Sequence, residues 1–98
     1  MGGLAAELAA HREALCARYA ARSGLAIFSA TRTDPGLDTA ALGRELAGSG
    51  LSWLVINAQR LGPSSCHVTA VAVCTNATRT AHTTVEDHGQ GCDFEARL

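Results

Sequence analysis

The apolar residues near the start of the chain recur at helical spacing. Strong helix formers fill most positions from 4 to about 22, and the larger apolar residues among them repeat with a period of 3.6. This apolar stripe consists of Leu4, Leu8, Leu15 and Tyr19. The pattern predicts an amphipathic helix that buries the stripe and ends at Ser23 and Gly24.

Two short apolar runs, 25–30 and 51–57, are predicted to be strands, because neither alternates and continuous apolar runs are typical of strands covered on both faces. Between them, Pro35 and Gly36 predict a turn. A second helix is predicted from Asp38, whose side chain can cap its first turn, to Gly48. Helix, strand, helix and strand with short connections predict an α/β fold over residues 4–57 with parallel pairing.

The pattern changes after Gly62 and Pro63. The runs 66–74 and 78–86 are rich in Val and Thr and predict an antiparallel β-hairpin, followed by an irregular tail with at most a short edge strand near Phe94. The length of 98 residues allows one small domain, 1–98. It would consist of an α/β part, 4–62, and a strand-rich extension, 63–98.

Composition excludes several functions. The net charge of -1 offers no basic surface for nucleic acid. Every cationic side chain is Arg, so Schiff-base chemistry and a phosphate-loop lysine are excluded, and we expect no activity from the chain by itself. The sequence contains no run of about 20 apolar residues, so we expect no membrane insertion. Since no signal-peptide pattern is present, we expect a soluble cytoplasmic protein with reduced thiols.

The cysteines and histidines of the second half suggest two kinds of site. If the hairpin brings the end of the chain back to Cys66, a zinc ion has four candidate ligands in Cys66, His67, His88 and Cys92. A nucleophilic pair of Cys66 or Cys92 with His82 or His88 is a second hypothesis. Buried free thiols and surface histidines are the structural alternative.

Residues 25–61 contain, in order, "LAIFSATRT", then Pro35, Leu37 and Asp38, "TAALGREL", Gly50, Trp53 and "LVIN". This order of elements resembles the nucleotide domain of the arsenite-pump ATPases. The resemblance implies ATP as a cofactor and Asn57 as an adenine contact, at the carboxyl end of a parallel strand where α/β sheets bind ligands. The family's phosphate-binding loop is missing here, so the resemblance implies a fragment or degenerate relative that is not catalytic alone. The alternative for Asn57 is a polar residue that ends a strand.

A function of a different class is also consistent with the sequence. The predicted core is thin, and a short chain buries more apolar surface when it oligomerises. The first helix is rich in Ala, and these small side chains let helices approach closely. This favours a small non-enzymatic protein-interaction module, with a protein partner or a second copy of itself.

Overall fold

The computed structural model describes residues 2–48 and 50–98 as two helices followed by four strands. The elements are α1 (Gly2–Thr33), α2 (Thr39–Ala47), β1 (Trp53–Gly62), β2 (Ser65–Cys74), β3 (Ala77–Glu86) and β4 (Phe94–Arg97). The strands form one sheet in the order β3-β2-β1-β4, and every neighbouring pair is antiparallel. Helix α1 packs across one face of this sheet.

The strand predicted over 25–30 is wrong, because α1 continues through it. Gly24 does not end the helix; it lies inside α1, at a point of close contact with the sheet. A Cβ on Gly24 would lie 2.8 Å from the Cβ of Ala70, so glycine permits the close approach. Ile27 and Phe28 follow at helical spacing and are buried against the sheet. A short apolar run fits either a strand or a helix, and here tertiary burial favours the helix.

The α/β fold with parallel pairing over 4–57 is therefore also wrong. Of its two predicted strands only the second exists, as β1, and β1 pairs antiparallel with both β2 and β4. Pro63 and Ser64 alone join β1 to β2, and a connection this short permits only an antiparallel hairpin. The structure does contain the hairpin of β2 and β3, in continuous register from Ser65 opposite Glu86 to Cys74 opposite Ala77.

Helix α2 begins where the sequence predicts. The Asp38 side chain accepts a hydrogen bond from the backbone N–H of Ala41 at 3.0 Å, which caps the first turn. Leu42 and Leu46, which are one helical turn apart, pack against the core. At Gly43 an added Cβ would lie 2.8 Å from the Cβ of Leu98, so α2 lies directly against the end of β4.

The core lies between α1 and one face of the sheet. Its buried members are Ala17, Ala20, Ala21, Ile27, Phe28, Leu51, Leu54, Ile56, Ala58, Val68, Ala70, Ala72 and Cys74. From 17 to 21 the helix contributes only alanines to this core, and further on it contributes the larger side chains of Ile27 and Phe28. Small side chains on both surfaces allow α1 to lie close to β2. The other face of the sheet is partly exposed and carries Trp53, Val55, Asn57, His67 and His82.

Candidate interaction surface

Helix α1 extends beyond the sheet at its N-terminal end. Every residue from Gly3 to Arg12 is exposed, and the first buried position after them is Ala17. Cys16 forms a disulfide with Cys74, the last residue of β2. This bond fixes the point at which the helix leaves the sheet. A helix of 32 residues is about 48 Å long, and the longest dimension of the molecule is 56 Å.

The apolar stripe of α1 faces away from the sheet, so the prediction that it is buried is wrong. Leu4 is 68% exposed, Leu15 50% and Tyr19 65%. At about 100° per residue, the stripe lies on the side of the helix opposite to Ala17 and Gly24, which contact the sheet. The sheet takes the small-residue side because it permits closer backbone approach. We call Leu4, Leu8, Leu15 and Tyr19 the outward stripe.

Charged residues border the outward stripe, and an apolar groove continues it. Glu7 and Arg18 lie on one side of the stripe and Arg12 lies on the other, by helical position. At Tyr19 the stripe meets a groove between α1 and α2. Its apolar lining includes Ala26, Ile27, Leu37, Leu42 and Leu46. Exposed apolar side chains are therefore found from Leu4 along α1 to the side of α2, with His11, Arg12 and Arg22 between them.

Asn57 lies in the middle of β1, and not at the end of a parallel strand as predicted. It stands opposite Thr69 of β2 and Glu95 of β4, on the partly exposed face of the sheet. The adenine contact implied by the resemblance to the arsenite-pump ATPases stays a prediction. Titration with an ATP analogue, repeated with Asn57→Ala, tests it directly.

The four residues of the predicted zinc site lie in three different settings. Cys66 and Cys92 form the second disulfide, so the return of the chain end toward Cys66 does occur. His67 lies on the opposite face of β2, with its ring 5.7 Å from that of His82. His88 is exposed, and its Nε2 lies 3.4 Å from a Glu86 carboxylate oxygen. A disulfide sulfur has no thiolate charge, so the oxidised pair offers zinc no thiolate ligand.

The expectation of reduced thiols is wrong for this structure. All four cysteines fall within the described residues and none of them is free. The Cys–His nucleophile hypothesis needs a thiolate, which neither Cys66 nor Cys92 provides while they are paired. Both disulfides join segments that are distant in sequence, with separations of 58 and 26 residues.

Asp87 is the centre of a network of ion pairs and hydrogen bonds that was not predicted from the sequence. Its side chain is 8% exposed and forms ion pairs with Arg60 of β1 and, at 3.8 Å, with Arg32 of α1. One carboxylate oxygen accepts hydrogen bonds from the backbone N–H groups of Gly89 and Gly91, each at 3.0 Å. Both glycines have a positive φ, so the spacing Asp-x-Gly-x-Gly was a detectable turn signal. This carboxylate holds the loop that carries Cys92.

The pKa of Asp87 is lowered from 3.8 to about 2, first by the hydrogen bond from Arg60 and then by that from the backbone of Gly91. Because the folded-state pKa is depressed, the stabilisation is complete above the unfolded value and lost as pH falls from about 4 toward 2. We expect Asp87→Asn to lower stability at neutral pH and to flatten this acid decline.

Urea unfolding at a series of pH values measures the effect. Asp93→Asn, at an exposed position two residues beyond Gly91, is the control and should keep the decline of the unaltered protein. An Asp87→Asn variant that loses stability between pH 4 and 2 as steeply as the unaltered protein would contradict the role of Asp87.

A scan against protein-family models found no match, and searches of curated proteins and of solved structures found no significant match. Over the residues that the structure describes, neither helix combines the length and the apolar content needed to cross a lipid bilayer.

Proposed function

We propose that this chain is a non-enzymatic protein-interaction module that binds its partner through the outward stripe of α1. The observation that supports the proposal is an apolar stripe, Leu4 to Tyr19, on a helix that a disulfide fixes to the sheet with this stripe facing outward. Single exposed apolar residues need no explanation, but a row at helical spacing is typical of a surface that binds another protein.

The physical case rests on the unsupported N-terminal end of α1. Residues 3–12 contact no other element closely enough to be buried on any side, and an isolated helix this short is marginal in water. Covering a leucine side chain contributes about 1.5–3 kcal/mol. A partner on the outward stripe would therefore stabilise the helix and remove its leucines from water in one step.

The disulfides bear on where such a module works. Disulfides form and persist in oxidising compartments, and a small domain with a thin core gains stability from them. Two of them pair all four cysteines of this chain. We therefore place the module in an oxidising compartment, in contrast to the cytoplasmic location expected from the sequence.

Photo-crosslinking tests the proposed function and does not require the partner to be identified first. A photo-reactive amino acid replaces Leu8 in one variant, Tyr19 in a second, and Thr84 of β3 in a control variant. Thr84 is exposed beside His67 on the partly open sheet face, away from α1. We expect covalent protein adducts, on irradiation of the producing cells, from the two stripe positions and not from Thr84. Adducts from Thr84 alone, or none from the stripe, would contradict the proposal.

A further inference from the structure

We infer that the partner of the outward stripe is a second copy of this chain, bound with the two α1 helices antiparallel about a two-fold axis. This inference rests on the proposed function. It follows from the spacing of the stripe, from the charges beside it and from the position of the groove next to α2.

The spacing of the outward stripe is symmetric. Its four residues are separated by four, seven and four positions, so the sequence of gaps is the same in both directions. An antiparallel pair centred between His11 and Arg12 places Leu4 opposite Tyr19 of the second copy, and Leu8 opposite Leu15. Every apolar residue then meets an apolar residue, and the two-fold axis makes each contact twice.

The charges favour the antiparallel direction over the parallel one. Glu7 and Arg18 lie on the same side of the stripe, and the antiparallel pair brings Glu7 of one copy within reach of Arg18 of the other, twice. In a parallel pair, Arg22 would face its own counterpart along the seam, because it lies seven residues after Leu15 and so falls in line with the stripe. Like charges at this position would oppose that arrangement.

One like-charge contact remains in the antiparallel pair. Arg12 lies on the other side of the stripe near the centre, and approaches Arg12 of the second copy there. In a parallel pair, each helix contacts its partner between flanking positions that are five residues apart. Arg12 follows Glu7 by five residues, so it would bind Glu7 of the second copy. The two arrangements therefore predict opposite effects for the loss of the Arg12 charge.

The groove beside α2 accepts the end of the second helix. In the antiparallel pair Leu4 of the second copy reaches Tyr19, where the outward stripe joins the groove lined by Ile27, Leu42 and Leu46. The helical segment 3–12 of each copy, which projects beyond the sheet, then lies along the part of the other α1 that the sheet supports. Both unsupported helix ends are covered, whereas in a parallel pair they would support only each other.

The first experiment measures association of the purified, oxidised chain by sedimentation equilibrium. We expect a dimer, and Leu8→Glu should raise its Kd by more than about a hundredfold, because two buried leucines are lost and two charges enter the seam. Leu61→Glu is the matched control, since Leu61 is 63% exposed on β1 and outside the stripe. Its Kd should not change. Circular dichroism checks that each variant keeps its helix.

A charge exchange determines the direction of the helices. Glu7→Arg and Arg18→Glu should each raise the Kd by about tenfold, and the two together should restore it, because the ion pair is re-formed in reverse. Arg12→Gln should leave the dimer unchanged or lower its Kd. Restoration by Glu7→Arg with Arg12→Glu, together with weakening by Arg12→Gln, would show a parallel pair and overturn the inference.

A chain that stays monomeric at its highest soluble concentration would also overturn the inference. If such a chain still gave crosslinks to a different protein from Leu8 and Tyr19, the proposed function would stand and only the second copy would be excluded. A monomer without crosslinks from the stripe would reject both.

Discussion

Removing the Cys16–Cys74 disulfide should lower the free energy of unfolding by about 4 kcal/mol, as expected for a bond that closes a loop of 58 residues in the unfolded chain. The double variant Cys16→Ala, Cys74→Ala tests this and leaves no unpaired thiol. Urea unfolding followed by circular dichroism gives the free energy. We also expect faster amide exchange in α1 up to Ala17, because the helix then has no covalent tie where it leaves the sheet.

The matched control is the other disulfide. Cys66→Ala with Cys92→Ala removes a bond across 26 residues and should cost about 3.5 kcal/mol, slightly less. It should leave amide exchange in the first half of α1 unchanged, since it joins β2 to the segment before β4. A loss below about 1 kcal/mol for the Cys16 pair would contradict its structural role.

Phe28→Ala should cost about 3–5 kcal/mol, the range for removing a buried aromatic side chain from a packed core. Phe28 is 2% exposed, and its ring meets that of Phe94 edge to face at 5.3 Å. The guanidinium of Arg32 lies over the same ring at 5.3 Å. The substitution therefore removes a contact of α1 with β4 and also loosens the residue that pairs with Asp87.

Urea unfolding also measures the stability loss of Phe28→Ala, with Leu61→Ala as the control variant. Leu61 is largely exposed, so truncating it should change stability by less than about 0.5 kcal/mol. If Phe28→Ala cost as little as Leu61→Ala, the packing of the C-terminal half of α1 on the sheet would be wrong.

Local signals predicted the parts of the fold that depend on neighbouring residues. The Asp38 cap and the leucines of α2 are encoded within a few positions, and the hairpin of β2 and β3 follows from its strand-like runs. The extent of α1 is different, because the run 25–30 has the composition of a strand and the spacing of a helix. Contact with the sheet decides between them, and that contact is not visible in a local window.

The side of α1 that is buried could not be predicted for a related reason. Leucines are more hydrophobic than alanines, so the stripe of Leu4 to Tyr19 was the natural choice for the core. The sheet instead contacts the opposite side, where Gly24 fits against Ala70. Hydrophobicity along one helix contains no information about the shape of the surface it will meet, and the match of small residues on both surfaces exists only in three dimensions.

The pairing of the cysteines and the contacts of Asp87 were predictable to a similar degree. The hairpin pattern correctly brings the end of the chain back to Cys66, where the structure places Cys92. The partner of Cys16 was not predictable, because it depends on how α1 lies on β2. Asp87 had a local signal in its two following glycines, but its arginine partners come from α1 and β1 and are set by the tertiary fold.

The two disulfides also determine how the molecule would carry mechanical load. A pull between the exposed end of α1 and the end of β4 follows the shortest covalent path, through Cys16 to Cys74, along β2 to Cys66, and through Cys92 to the end of the chain. That path contains roughly a third of the residues, so the extension under tension is limited to about a third of the full chain length. Once the non-covalent contacts have broken, the rest of the chain lies in covalent loops that bear no tension, and the segment of β2 between Cys66 and Cys74 transmits the force.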